Sequence, residues 1–200
     1  MKFNKLFGIV LLISVLCLCI SAAAAADGVD SHAVGADEGN LAVENNNDDV
    51  LGAGNSWYVK AGVSGGDGSE TSPYGDLSTA YNKFKAGDTI YVMDGTYKGN
   101  KNIGLQMTKD NVTIVSYDNS NPIFDAEQND QIFYLKSNNA MIKGLTFING
   151  YYTWGSALDL DGDNIRIDSC TFKDNIAQNA NKNNGQGTIY IDPHENIVIY

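Results

Sequence analysis

The chain has 200 residues, of which 43% are hydrophobic, and its 24 acidic and 13 basic residues give a net charge of −11 at neutral pH. So acidic a chain repels the phosphate backbones of DNA and RNA, which excludes nucleic acid as an expected partner. The length suffices for one folded domain and a short additional segment.

Residues 1–26 have the order of a secretory signal peptide. Lys2 and Lys5 form a positive start, residues 6–20 are an apolar run, and residues 24–26 are alanines that suit a cleavage site. We expect cleavage there and a secreted protein that is extracellular or held at the cell surface. The alternative is an uncleaved anchor, because the apolar run and the alanines together are just long enough to span a bilayer.

Residues 27–55 predict a disordered acidic linker. The segment contains seven Asp or Glu residues, no Lys or Arg, an Asn run at residues 45–47 and no aromatic residue. Such a composition cannot bury enough apolar surface to offset the entropy lost on ordering. Residues 56–200 are left as the folded domain.

The folded domain begins with a predicted strand at residues 57–59 and a glycine-rich turn at residues 62–72. Asp76 follows, and Gly87 closes a run of apolar residues with helical spacing: Leu77, Ala80, Tyr81 and Phe84. This pattern predicts one short amphipathic helix with an Asp N-cap and a C-terminal Gly. A helix ahead of a repeat array is typical of a capping element, because the first repeat has an open apolar end.

Residues 132–175 contain one unit written nearly twice with a period of 25 residues. Four pairs of equivalent positions fix the register: Leu135 and Leu160, Asn139 and Asn164, Ile142 and Ile167, Phe147 and Phe172. Each unit has three short runs that alternate apolar and polar residues, as strands with one buried face do. Three strands per repeat predict one coil of a parallel β-helix, in which coils stack and place Asn on Asn.

An acidic cluster at the end of one predicted strand is the main candidate site. Asp159, Asp161 and Asp163 alternate along the chain, and the repeat register sets Tyr190 over Asp159 and Asp192 over Asp161. The coil below contributes two residues to the same columns: Tyr134 and Lys136. Clustered carboxylates suit calcium, but the spacing does not match an EF-hand loop. A solvated turn, a calcium site and a catalytic acid pair remain as alternatives.

His194 is the only His of the predicted domain. It lies in a turn with Asp192, Pro193 and Glu195, and no second His or Cys is close in sequence to complete a metal site. We therefore expect His194 to lie in a surface turn.

Aromatic residues provide a second candidate surface. Tyr134 and Tyr190 fall at outward positions, whereas Tyr151, Tyr152 and Trp154 lie in a loop between coils. These rings either stack on sugars or a partner, or pack back on the coil. The predicted ligand-binding residues are three aromatic and three acidic side chains: Tyr134, Trp154, Tyr190, Asp159, Asp161 and Asp192.

The sequence stops just after the apolar run at residues 197–199, within a predicted coil. An exposed strand edge with an apolar face is a template for pairing. We expect the domain at residues 56–200 to be truncated at this end, with further coils or a stacked second chain covering it.

The first coil carries motifs that resemble those of known proteins. Trp-Tyr-Val at residues 57–59, Gly-Gly-Asp-Gly-Ser at 65–69 and Gly-Asp-Thr-Ile-Tyr-Val at 87–92 are similar to the N-terminal cap of right-handed parallel β-helix proteins, which include pectate lyases. Residues 155–158 and 164–175 resemble repeats of polymorphic outer membrane proteins and of adhesin-like surface proteins of methanogenic archaea. The resemblance implies an all-β, right-handed parallel β-helix.

The resemblance implies lyases, hydrolases and adhesins alike, so the residues must decide the function. The single Arg is Arg166, and neither an Arg-x-Pro-x-x-Arg nor a Gly-His-Gly phrase of the β-helix enzymes is present. We therefore expect an adhesin-like protein that binds cell-wall polysaccharide or another surface partner without catalysis or cofactor. The alternative is a polysaccharide lyase or hydrolase that uses calcium at the face of Asp161 and Asp192.

Overall fold

A computed structural model describes residues 54–178 and 187–200 of the chain. The predicted signal peptide and nearly all of the predicted linker lie outside the described residues, as does part of the Asn-rich loop after residue 178. Among the residues described, no helix combines the length and the apolarity needed to cross a bilayer.

The described residues form one helix and sixteen strands. In chain order these are β1 (Ser56–Val59), α1 (Leu77–Lys83), β2 (Thr89–Val92), β3 (Thr96–Tyr97), β4 (Leu105–Met107), β5 (Thr113–Ser116), β6 (Ile123–Asp125), β7 (Phe133–Leu135), β8 (Met141–Lys143), β9 (Thr146–Ile148), β10 (Tyr151–Tyr152), β11 (Leu158–Leu160), β12 (Arg166–Asp168), β13 (Thr171–Lys173), β14 (Ile176–Ala177), β15 (Ile189–Ile191) and β16 (Val198–Ile199).

Each turn of the chain visits three parallel sheets in the same order. The first sheet is β1-β2-β5-β8-β12-β16, the second is β3-β6-β9-β13, and the third is β4-β7-β11-β15; β10 pairs with β14 separately. Leu135 opposes Leu160, Ile142 opposes Ile167 and Phe147 opposes Phe172, as the 25-residue repeat predicts. The fold is therefore an all-β, right-handed β-helix of about four turns, and the sequence prediction is confirmed.

An aromatic column runs through the interior of the second sheet. Ring centroids are 4.9 Å apart between Tyr97 and Phe124, 5.9 Å between Phe124 and Phe147, and 5.3 Å between Phe147 and Phe172. Phe133 of the third sheet packs edge-on against Phe124 and Phe147. Each such pair contributes about 0.5–1.5 kcal/mol beyond the burial of its area. Stacking of coils thus supplies stabilising ring contacts that a single coil cannot form.

An Asn ladder lies at one corner of the coils, as the sequence predicts. Asn111, Asn139, Asn164 and Asn196 all have φ between 55° and 58°. The amide of each upper Asn donates to the side-chain oxygen of the Asn below, at 3.0–3.1 Å. Asn suits this corner because it tolerates left-handed backbone and hydrogen-bonds its own equivalent in the next coil.

Helix α1 covers the N-terminal end of the coil. The Asp76 carboxylate accepts a hydrogen bond from the Thr79 amide at 2.8 Å, so the predicted N-cap is confirmed. The helix ends at Lys83 with Phe84 as its C-cap, and Gly87 lies in the turn before β2. The prediction of Gly87 as the helix end was wrong, because the Phe84 side chain turns into the core before the helix can continue.

The opposite end exposes apolar side chains on the last strands. Ile191, Val198 and Ile199 are exposed, and Tyr200 is the most exposed large hydrophobic residue of the described chain. Further coils or a stacked chain at this end stay a prediction.

Replacing Phe147 by Ala should destabilise the protein by about 3–5 kcal/mol, because it removes a fully buried ring with aromatic neighbours on both sides. Phe172 occupies the same column but is half-buried. Phe172→Ala should therefore cost less than about 2 kcal/mol. Chemical denaturation of the two variants tests this ranking, and equal losses would contradict the column as described.

Candidate functional site

The outward face of the third sheet brings the predicted site residues together. Tyr134 of β7, Asp159 of β11 and Tyr190 of β15 are neighbours across three strands, and Gln106 of β4 lies beside Tyr134. Alternation along each strand turns these side chains away from the core. The predicted row of Tyr134, Asp159 and Tyr190 is confirmed by this register.

A cleft of about 380 Å³ opens on this face. Three of the predicted residues line it, namely Tyr134, Trp154 and Asp159. The other lining residues are Gly104, Gln106, Asp130, Gln131 and Tyr152. Aromatic rings, side-chain amides and carboxyl groups therefore share one concave and mainly polar surface.

The wall of the cleft is formed by the segment between β9 and β11. Tyr151 and Tyr152 form β10, which pairs with β14. The Trp154 ring meets the Tyr190 ring edge-on at 5.1 Å, yet 37% of Trp154 and 42% of Tyr152 stay exposed. The loop thus packs on the coil and still presents aromatic surface, and stacking of these rings on a sugar or a partner stays a prediction.

Gln131 holds this wall in place, a role that the sequence did not predict. Its amide nitrogen donates to the carbonyls of Trp154 at 3.2 Å and Gly155 at 2.9 Å. The residue is buried next to the exposed Trp154 side chain. A polar residue directly before the apolar start of β7 is the one signal that could have found it.

Asp159 does not lie in a solvated turn. It lies within β11, and its Oδ1 atom is buried with no hydrogen-bond partner. Burial, followed by the negative charge of Asp192 and more weakly that of Asp161, raises the pKa of Asp159 to about 6, and the Gln131 amide acts in the opposite direction. The solvated-turn prediction was wrong for this residue because the repeat register places it in a strand under the cleft wall.

Asp161, two residues further along, has the opposite environment. The Tyr134 hydroxyl donates to its Oδ2 at 2.6 Å, and His194 Nε2 and Lys136 Nζ lie 2.8 Å and 3.4 Å from its oxygens. The hydrogen bond from Tyr134, followed by that from His194, holds the pKa of Asp161 below its usual value. Asp192 follows β15, and its backbone amide donates to the Leu160 carbonyl. Asp192 thus affects the site because its negative charge raises the pKa of Asp159.

His194 does more than occupy a surface turn. Its Nδ1 lies 3.2 Å from Asp163 Oδ1, so the ring bridges Asp161 and Asp163. These carboxylates, Asp161 first, raise the pKa of His194 above 6.5. This contact was not predicted, because the partners of His194 are carboxylates of the coil below and not His or Cys residues close in sequence.

Comparison with family models decides the family. The model described as Pel9A-like, right handed beta helix region matches residues 57–199. The chain belongs to this Pel9A-like β-helix family. Among solved structures, a rhamnogalacturonan lyase matches with a TM-score of 0.53 and 20% identity, over 62% of this chain and 37% of the lyase chain. Because the identity is low, this likeness concerns the fold. A search of the curated proteins found no match.

The residues of this Pel9A-like chain do not fit a calcium ion. Both oxygens of Asp161 already contact donors, namely Tyr134, Lys136 and His194. Within residues 54–178 and 187–200, no group of three or more His, Cys, Asp or Glu side chains is placed to hold a metal. A calcium ion would have to displace a Lys and a His from the same carboxylate, so the geometry does not support the calcium alternative.

A larger cleft of about 570 Å³ lies beside the helix cap. The glycine-rich turn and residues 98–102 contribute most of its lining. Its cations have carboxylate partners: Lys101 lies 3.6 Å from Asp76, and Lys98 lies 3.1 Å from Asp125. The cap cleft thus lacks the unpartnered polar group and the exposed aromatic rings that mark the cleft over β7 and β11.

Asp159→Asn should stabilise the protein at about pH 7.5 by roughly 1–2 kcal/mol, after allowance for solvent screening at a half-exposed site. The folded-state pKa of about 6 lies above the ordinary value of 3.8, so the wild type loses stability as the pH rises through about 6. Below about pH 4 the difference should vanish, since the wild-type carboxyl is then protonated in both states. Denaturant unfolding across this range checks the sign.

His194→Gln tests the bridge over Asp161 and Asp163. The raised pKa of His194 means that the bridge stabilises the protein below about pH 6.5 and is lost as the pH rises through the folded-state value. The variant should therefore be less stable than the wild type at about pH 5 and similar at about pH 8.5. A deficit of equal size at both pH values would mean that the ring acts by packing and not by charge.

Proposed function

We propose that this Pel9A-like β-helix is an extracellular protein that binds neutral polysaccharide in the cleft over β7 and β11, in the manner of an adhesin. The observation that carries the proposal is the combination of exposed aromatic rings with amide and carboxyl groups in one cleft. The apolar ring faces suit the C–H faces of sugars, and the polar groups suit their hydroxyls.

Rigid placement of the rings supports binding. Trp154 packs on Tyr190, its backbone carbonyl accepts from Gln131, and Tyr134 is fixed by its hydrogen bond to Asp161. Side chains that are ordered before the ligand arrives lose little entropy on binding. The cleft is therefore preorganised for an extended ligand that lies along the face of the sheet.

The charge of the cleft favours a neutral sugar over an acidic one. Its described lining residues include two carboxyl groups, Asp130 and Asp159, and no Lys or Arg. Nearby Lys136 is paired with Asp161. Since the chain carries a net charge of −11, a polyuronide would meet repulsion both locally and at long range.

The location outside the cell rests on the sequence. Residues 1–26 have the order of a signal peptide, which supports export of the protein across the cell membrane. Cell-wall polysaccharide is the polymer that such a protein meets. Together with the cleft, this supports a role in attachment.

Cleavage of a polyuronide is the second candidate, favoured by one observation. The matched solved structure is named as a rhamnogalacturonan lyase, and its β-helix resembles this one. The absence of a cation among the described residues of the cleft counts against this candidate for the present chain, because a lyase must neutralise the uronate carboxylate. The test below separates the two.

Adjacent tyrosines of β10 allow a matched test. Tyr152 lines the cleft, whereas Tyr151 does not, and the two are exposed to similar extents of 42% and 36%. Tyr152→Ala should weaken retention on insoluble xylan, mannan or cellulose by about tenfold or more. Tyr151→Ala should change it by less than about twofold. Co-sedimentation at a series of polymer concentrations gives both affinities.

Equal losses of retention in the two variants, or no loss in either, would show that the polysaccharide binds to another surface. The stacked Tyr58 and Tyr91 rings on the outward face of the first sheet, 5.1 Å apart, would then be the next surface to mutate. Retention on polygalacturonate with release of unsaturated ends would replace the proposed function by the lyase alternative.

A further inference from the structure

Asp159 differs from the other described lining residues of the cleft in the burial and pairing of its side-chain oxygens. Its Oδ1 atom is out of reach of solvent and has no donor within hydrogen-bond distance, while the side chain forms part of the cleft lining. An ionised carboxylate with a buried, unpartnered oxygen is costly, because nothing replaces the water that it lost. The packing therefore favours the protonated carboxylic acid.

The charged groups around Asp159 also favour its protonated form. Asp161 directly follows β11, and Asp192 directly follows β15; both act on Asp159 as negative charges. Neighbouring strands present Tyr134 and Tyr190, which carry no positive charge. The nearest cations, Lys136 and His194, are bound to Asp161, and the remaining acid of the cleft is Asp130. Only the uncharged Gln131 amide favours the ionised form.

We propose that Asp159 is the specificity residue of the cleft, which presents a protonated carboxyl that donates a hydrogen bond to an ether or hydroxyl oxygen of a neutral polysaccharide. This inference rests on the proposed function and adds to it the group that recognises the sugar. Binding then holds the proton on Asp159. The cleft is consequently an acid-favoured binding site.

The direction in which affinity changes with pH follows from the protonation state of Asp159 that binds the polysaccharide. With a pKa of about 6, Asp159 is mostly protonated at about pH 5 and mostly ionised at about pH 7. The ionised form cannot donate and adds an unpaired negative charge. Affinity should therefore fall about tenfold from pH 5 to pH 7, as the protonated fraction does.

The test is co-sedimentation with xylan, mannan or cellulose at about pH 5, 6, 7 and 8. Asp159→Asn keeps the shape and supplies an amide donor at every pH, so its retention should be independent of pH and should exceed that of the wild type at about pH 7. Two control variants should keep the wild-type slope. Asp118→Asn makes the same charge change at an exposed turn with φ of 44°, and His194→Gln removes the other group that titrates nearby.

Three results would overturn the inference while leaving polysaccharide binding intact. These are wild-type retention that does not change with pH, a slope that survives in Asp159→Asn, and a slope that disappears in His194→Gln. Loss of retention on every polymer at every pH would instead overturn the proposed function, and the inference with it.

A measurement without ligand keeps the inference testable if Asp159→Asn fails to fold. Titration of the wild-type side-chain carboxyl carbons by NMR should show one Asp with a midpoint near 6, well above the others. A midpoint for Asp159 below about 5 would overturn the inference whatever the polymers show, because an ionised group could not donate at the pH of binding.

Discussion

The structure depends on the register between parallel coils. Hydrogen bonds along every strand tie each coil to the next, so a residue sits directly above the residue 25 positions earlier in the repeat. One shift by a single residue would turn every inward side chain outward. Because the register is fixed, apolar residues form continuous columns such as the aromatic one from Tyr97 to Phe172, and Asn residues form a ladder at a corner. The same constraint aligns outward side chains into rows. One such row, which includes Tyr134 and Asp159, lines the cleft.

The candidate site arises beside the corner segment between β9 and β11. Between β9 and β11 lie β10 and the turn that contains Trp154, which project beside the third sheet. Together with the outward face of that sheet they form a concave surface. Gln131 anchors this addition through two backbone carbonyls. A solenoid can accept such an addition at low cost, since the coils above and below keep their own contacts. The corner segment thus shapes the candidate site, while the coils supply a rigid support.

Asp159 and Asp161 illustrate how the environment divides two identical residues. They are two positions apart, Asp159 within β11 and Asp161 directly after its last residue. Asp161 receives a hydroxyl, an imidazole and an ammonium group, so its charge is stabilised. Asp159 lies closer to the cleft wall, where burial of its unpartnered Oδ1 atom and the charge of Asp192 stabilise its proton. Desolvation and hydrogen bonding therefore push the two pKa values apart, which gives a site both a fixed charge and an exchangeable proton.

The sequence by itself determined the coil. The 25-residue repeat, the alternation within each run and the recurring Asn predicted the strands, their register, the Asn ladder and the row of Tyr134, Asp159 and Tyr190, because these follow from local pattern and identical stacking. It also predicted the Asp76 cap of α1. Tertiary structure alone decided which acids keep their charge. His194 reaches Asp161 from the next coil, Gln131 fixes a loop 23 residues away, and Asp159 loses its solvent to that loop. Contacts of this kind are made by side chains that do not recur from coil to coil, so the repeat does not predict them.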